Sequence, residues 1–170
     1  MQKGQAERLV PMLEELLAAA GMVWKDLRRI AVGTGPGNFT GVRISVATAR
    51  GLSLALGIPA IAVTRLEALA HGLPRPLSVI EDARQGAVYL QRFSSGGESA
   101  ALLLPAGCGR PSGAATGNAA GPEALPPAMP LAEAIARIAA TRPPGPPPAP
   151  FYLKAVDAAP PSDPPPVILP

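Results

Sequence analysis

Apolar residues recur at three- and four-residue steps between Gln5 and Ala20, at Leu9, Met12, Leu13, Leu16, Leu17 and Ala20, with Glu7, Arg8, Glu14 and Glu15 between them. That spacing predicts an amphipathic helix. Pro11 removes one backbone donor from its early part, so a kink or a later start is expected, and Gly21 ends the run. Arg29-Ile30-Ala31-Val32 reads as a short strand leading directly into Gly33-Thr34-Gly35-Pro36-Gly37-Asn38-Phe39-Thr40-Gly41. From Gly41 to Leu56 the residues suit a helix, which Gly57-Ile58-Pro59 stops. Ala60–Val63 reads as a second strand. Thr64 and Glu67 then fit a capping box for a helix over Arg65–His71, each side chain satisfying the other's free backbone N–H. Two strand-to-helix units in succession favour an α/β fold with a parallel sheet and crossover helices.

Beyond Pro74 and Pro76 the pattern changes to a hairpin: Leu77–Ile80 as one strand, Glu81–Gly86 as the turn and Ala87–Phe93 as the return. After Gly96 only Leu131–Ala140 has helical character, and Pro143–Pro150 reads as an extended linker. Of 23 prolines, five precede Ala100. This asymmetry divides the 170 residues into three expected parts: a folded lobe over 1–95, a reduced second lobe over 96–142 and a proline-rich segment over 143–170.

Composition narrows the class. Hydrophobic residues supply 48% and charged residues 16%, which excludes a highly charged disordered chain. The net charge of +3 tolerates an anionic partner, yet no Lys/Arg cluster with interleaved aromatics marks an RNA-binding stripe. Cys108 is the single cysteine, so no internal disulfide forms and a reducing cytoplasm is the expected setting. Apolar stretches are broken well short of a membrane span, and no leader pattern opens the chain; neither export nor a membrane is expected.

The loop Gly33–Gly41 is the first candidate for chemistry, with Gly33, Gly35, Gly37, Asn38, Thr40 and Gly41 as its residues. A glycine-rich turn before a helix lets N–H groups converge on an anion, and the helix N-terminus favours negative charge. The loop matches neither the P-loop nor the dinucleotide fingerprint. A tight turn with close helix packing explains the glycines somewhat better on pattern alone, and both readings stay open. The helix after it says more. Only Arg43 and Arg50 are charged, seven residues apart on one face, and a helix apolar nearly all round is normally covered on both sides. One side can rest on a sheet; a protein partner can cover the other, approaching closely at Ala47, Gly51 and Ser53. Glu81 and Asp82, adjacent and so on opposite faces of a strand, fit a turn better than a Mg²⁺ site. His71 and Cys108 stand without catalytic neighbours, and no nucleophile-and-base pair or metal-ligand spacing is visible.

Gly33–Ile44, Ala47-Thr48-Ala49-Arg50-Gly51-Leu52, Leu56-Gly57-Ile58-Pro59 and Leu66-Glu67-Ala68-Leu69 together resemble the TsaB (YeaZ) family. Gly4–Leu9 with Pro11-Met12 resembles the family's first helix, and Asp82-Ala83-Arg84 with Gly86 and Tyr89 its hairpin. Further on, Ala115–Ala119 is similar to a glycine turn of the second lobe, and Pro150–Lys154 to a late Pro-x-Tyr-Leu-Arg element with Lys in the last place.

The resemblance implies an actin-like lobe (ASKHA, ribonuclease H-like) with a mixed sheet. The family's opening strands and their Asp-Thr-Ser-like turn would be missing, the second lobe reduced and one sheet edge unpaired. It also implies a non-catalytic dimerisation subunit in tRNA threonylcarbamoyladenosine modification. ATP and metal are then expected on a TsaD-like catalytic partner, a TsaE-like ATPase joins the assembly, a homodimer is open to the same surface, and tRNA is met only indirectly. The partner interface expected from it comprises Leu9, Met12, Leu13 and Leu16 of the first helix and Arg43, Ala47, Arg50, Gly51 and Leu54 of the second. Two alternatives remain at this stage: a phosphate- or nucleotide-binding transferase that uses Gly33–Gly41, and a truncated remnant without function.

Overall fold

The structure is a computed structural model that describes residues 4–108 and 113–153. Arg110, Lys154 and the tail beyond it lie outside the described residues.

Helix α1 spans Gln5–Ala19 with Pro11 inside it. Pro11 is the seventh residue of this helix, so it leaves the Glu7 carbonyl without its helical donor, yet the helix starts at Gln5 and not later as the proline suggested. Strand β1 (Ile30–Gly33) and strand β2 (Ala60–Val63) pair in parallel, Ile30 opposite Ala60 and Gly33 opposite Val63. Helix α2 (Phe39–Leu56) connects them, starting two residues earlier than the apolar pattern suggests because Asn38 caps it and ending at Gly57 as expected. Helix α3 (Arg65–Ala70) opens with the expected capping box: Glu67 N–H donates to Thr64 Oγ1 at 3.1 Å and Thr64 N–H to Glu67 Oε2 at 2.7 Å.

The second sheet is built on strand β3 (Leu77–Arg84) and strand β4 (Ala87–Ser94), antiparallel neighbours. The strands run further than the hydrophobic pattern shows. Glu81–Arg84, expected as turn, belongs to β3, and the reversal is confined to the tip, where Arg84 and Gln85 take φ of 60° and 51°. Three strands not expected from the sequence complete the sheet, although Leu102–Leu104 of one of them is an apolar run. Strand β5 (Gly97–Glu98) and strand β6 (Leu102–Pro105) pair with β4, and strand β7 (Ala114–Thr116) lies parallel to β3.

Helix α4 (Leu131–Thr141) packs on the first sheet opposite α2. Val32 faces Val46 and Ala49 of α2, while Ile61 and Val63 face Ala134 and Ala139 of α4. Both faces of this parallel pair are therefore covered, as parallel strands require. Arginines fasten α4 at its end. Arg29 Nη1 donates to the carbonyls of Ala139 at 2.6 Å and Arg142 at 3.1 Å, and Arg142 Nη1 to Ala62 O at 2.6 Å, while Arg142 also pairs with Glu67. The third cluster joins α3 to the hairpin sheet through Leu66, Leu69, Val79 and Phe93. Residues on both sides of position 95 thus build the same layers: β5–β7 extend the hairpin sheet, and α4 closes the first one.

Among the described residues β1 pairs only with β2, so its far edge carries no strand. Pro143–Pro150 forms no regular structure, and Pro148 within it is buried.

Candidate functional site

Two surfaces converge on α2. The first is its outer stripe. Of its eighteen residues only Val46 and Ala49 are buried. Arg43, Ala47, Arg50, Gly51 and Leu54, all expected at a partner interface, are exposed, Leu54 by 87%. Residues 43, 47, 50 and 54 follow the helical repeat and form one continuous face. A Cβ added to Gly51 would meet nothing within 4 Å, so open space lies beside it. Helix α1 adds a second underused apolar surface: Leu9, Met12 and Leu13 are half-buried, Leu16 is exposed, and none of its described side chains is fully buried. Amphipathic helices owe most of their stability to packing of the apolar face, which α1 has only in part.

The second surface is the glycine loop and the cleft beside it. Gly33 ends β1 against Ile135. Gly35 has φ +100°, and a Cβ there would lie 3.2 Å from the carbonyl oxygen of Phe151 and 3.4 Å from Val42 Cγ2. Glycine is required here by conformation and by close approach of another backbone. That backbone is the strap Pro150–Leu153: Phe151 N–H donates to Thr34 O at 2.8 Å. The carbonyl of Gly35 accepts Arg65 N–H at 2.7 Å, tying the loop to α3. Asn38 Oδ1 accepts Gly41 N–H at 2.9 Å, satisfying one free donor of the helix start. Gly37 and Thr40 are exposed beside it. The tight-turn reading therefore accounts for Gly35, Asn38 and Gly41 without a ligand.

A cleft of about 720 Å³ opens between this loop and the hairpin tip, lined among others by Asn38, Phe39, Arg65, Arg84, Tyr89 and Tyr152. Glu81 is buried at its base, its Oε2 accepting Arg65 Nε–H at 2.5 Å and its Oε1 accepting Asn118 N–H at 2.9 Å. Asp82 Oδ1 accepts Arg84 N–H at 2.8 Å, the turn-stabilising role expected of it. At the mouth the rings of Phe39 and Tyr152 stack with centroids 5.1 Å apart, and the Arg43 guanidinium sits 5.1 Å over Phe39. The strap was visible in the sequence only as the Pro-x-Tyr-Leu element; its contact with residues more than a hundred positions earlier has no local signal. Among the described residues no three His, Cys, Asp or Glu gather as a metal site, and no helix is long and apolar enough to cross a membrane.

A strand, glycine loop and long helix set against a mixed hairpin sheet define an actin-like, glycoprotease-like α/β protein. The family model described as TsaD, tRNA N6-adenosine threonylcarbamoyltransferase, matches residues 1–116. The chain is 39% identical over 93 residues to the tRNA threonylcarbamoyladenosine biosynthesis protein TsaB of Escherichia coli (strain K12), covering 51% of this chain and 40% of that protein. Against the Bacillus subtilis (strain 168) protein of the same name, identity is 40% over 104 residues, covering 56% and 44%. A crystal structure from Pseudomonas aeruginosa, described as an uncharacterized protein with similarity to peptidase YeaZ, aligns over 88% of this chain and 84% of that one, at 28% identity and a TM-score of 0.67. The chain belongs to the TsaD family, within its TsaB (YeaZ) group. It spans about two fifths of the length of the curated relatives it matches.

Proposed function

We propose that this chain is a non-catalytic partner subunit in cytoplasmic tRNA threonylcarbamoyladenosine modification, docking on a homologous TsaD-like catalytic subunit through α1 and α2. The observation that carries the reading is the outer stripe of α2, where Ala47, Gly51 and Leu54 stand exposed between two arginines. Small residues let a partner helix approach closely, Leu54 supplies apolar area, and Arg43 and Arg50 reach acidic groups at the rim. In this reading ATP and its metal belong to the catalytic partner, and a TsaE-like ATPase joins the assembly. A homodimer through the same face competes when the partner is absent.

Co-expression with the TsaD-like protein, followed by size-exclusion chromatography with light scattering, tests it. The parent is expected to elute at the mass of a heterodimer and Leu54→Asp as a monomer. Co-elution of Leu54→Asp at unchanged strength would remove α2 from the interface.

A further inference from the structure

Apart from Arg43, which it shares with the docking face of α2, the cleft mouth carries chemistry that partner docking leaves unused. Phe39 and Tyr152 keep 36% and 46% of their surface exposed although they stack on each other. Arg43 lies over one of these rings, and Arg84 stands exposed at the hairpin tip with φ 60°, a conformation that side chains other than glycine rarely hold. The acids of the cleft are already engaged: Glu81 by Arg65 and Asn118, Asp82 by the amide of Arg84. Neither Arg43 nor Arg84 joins an ion pair among the described residues. A partly exposed pair of stacked rings flanked by guanidinium groups that make no ion pair among the described residues suits an unstacked base and its adjoining phosphates, because every base has a face to stack and every phosphate a charge to pair. A net charge of +3 on the whole chain favours the same partner.

We propose that Tyr152 and Phe39, with Arg43 and Arg84, form a docking surface for an unpaired nucleotide in a tRNA loop, so that this subunit touches RNA directly. The choice of RNA rests on the tRNA-modification reading above; the surface itself rests on the stacked rings and the two arginines. Base stacking on an exposed ring is tolerant of sequence, so the surface positions the RNA without reading it.

Fluorescence anisotropy of the full chain with a labelled, unmodified tRNA transcript tests this, with an RNA duplex and AMP as competitors. Tyr152→Ala and Arg84→Gln are each expected to weaken tRNA binding by about tenfold or more, Tyr152→Phe to stay within about twofold, and the duplex to compete poorly. Unchanged affinity in Arg84→Gln overturns the proposal even if Tyr152→Ala fails to fold. Displacement of tRNA by micromolar AMP overturns it in favour of a free-nucleotide site, and absence of tRNA binding by the parent overturns it outright. Co-elution of the same variants with the TsaD-like protein separates the two readings. Tyr152→Ala keeps that partner if only the RNA surface is lost, whereas a parent that never co-elutes defeats the partner reading alone.

Discussion

Arg65 and Glu81, sixteen residues apart, meet where α3 crosses the hairpin sheet, and the carboxylate that Arg65 holds at 2.5 Å also accepts the backbone amide of Asn118 at 2.9 Å. Three segments distant in sequence are thereby fixed to one buried side chain. Glu81 is 5% exposed, so a charge there is tolerated only while its oxygens stay paired. Replacing Arg65 by Met strands the carboxylate and is expected to cost about 2–3 kcal/mol in urea unfolding. Glu81→Gln keeps the shape but loses the charge-assisted bond, and a smaller loss is expected. Equal stability of Arg65→Met and the parent would show that Glu81 finds another partner or water.

Beside this junction, Gly117 holds φ +106°, and a Cβ there would collide with the carbonyl oxygen of Ile80. The strand β7 can lie parallel to β3 only because this residue has no side chain. Gly117→Ala combines a disfavoured backbone conformation with a backbone clash, and a loss of more than about 2 kcal/mol is expected. Hydrogen exchange should locate the damage at β7 and the upper part of β3, leaving the β1–β2 amides protected.

How far the sequence carries can be judged at these two places. The strand, loop and helix around Gly33–Gly41 were legible because their signals are local: an apolar run, a glycine cluster, a cap. The same holds for the Thr64–Glu67 box and for the length of α2, whereas the stripe Arg43, Ala47, Arg50 and Leu54, expected to lie against a partner, stands exposed. Strands β5–β7 were not legible. They are two to four residues long, and β5 and β7 lack apolar alternation, so only pairing with β3 and β4 makes them strands. Glu81 looked like a turn residue because its charge argues against burial; Arg65 and Asn118, which reverse that argument, are recruited by tertiary contact. The Phe39–Tyr152 stack, spanning over a hundred residues, had no local trace for the same reason.

The start of α2 offers a cleaner local test. Asn38 Oδ1 accepts Gly41 N–H at 2.9 Å, and no other side chain caps this end. Asn38→Ala is expected to cost about 1 kcal/mol, while Asn38→Asp or Ser should restore most of it. Thermal unfolding monitored by circular dichroism reads the difference. A phosphate-dependent rise in melting temperature that disappears with Gly37→Val, at a position without positive φ, would support the anion role of the loop.

On the outer face of α2, stability and assembly should separate. Gly51 has open space beside it and lies mid-helix, where a glycine is a poorer helix former than most residues. Gly51→Leu is therefore expected to leave the lone chain as stable as the parent, or more so by about 0.5 kcal/mol. The same change should weaken association with the TsaD-like subunit through steric exclusion. Loss of both stability and association would mean that this face is covered within the chain itself.

Glu98, on the short strand β5, provides the pH test. Its surface is largely exposed, yet partial desolvation raises its pKa above the usual carboxylate value, Glu67 adds to the rise, and Arg142 and Arg75 oppose it. A carboxyl whose pKa is raised on folding favours the folded state while it is protonated in both states. Its contribution is thus fully present below the unfolded value, and it is lost as pH rises through the folded one. Above that window the ionised group is less welcome in the folded chain than in the unfolded. Glu98→Gln removes the ionisation, so the variant should gain slightly on the parent in melting temperature as pH rises from below the ordinary carboxylate range toward neutrality. The two should differ least at the acid end. The opposite trend, with the parent gaining as pH rises, would show that Arg142 and Arg75 outweigh burial and Glu67, and that the carboxylate helps to hold β5 in place.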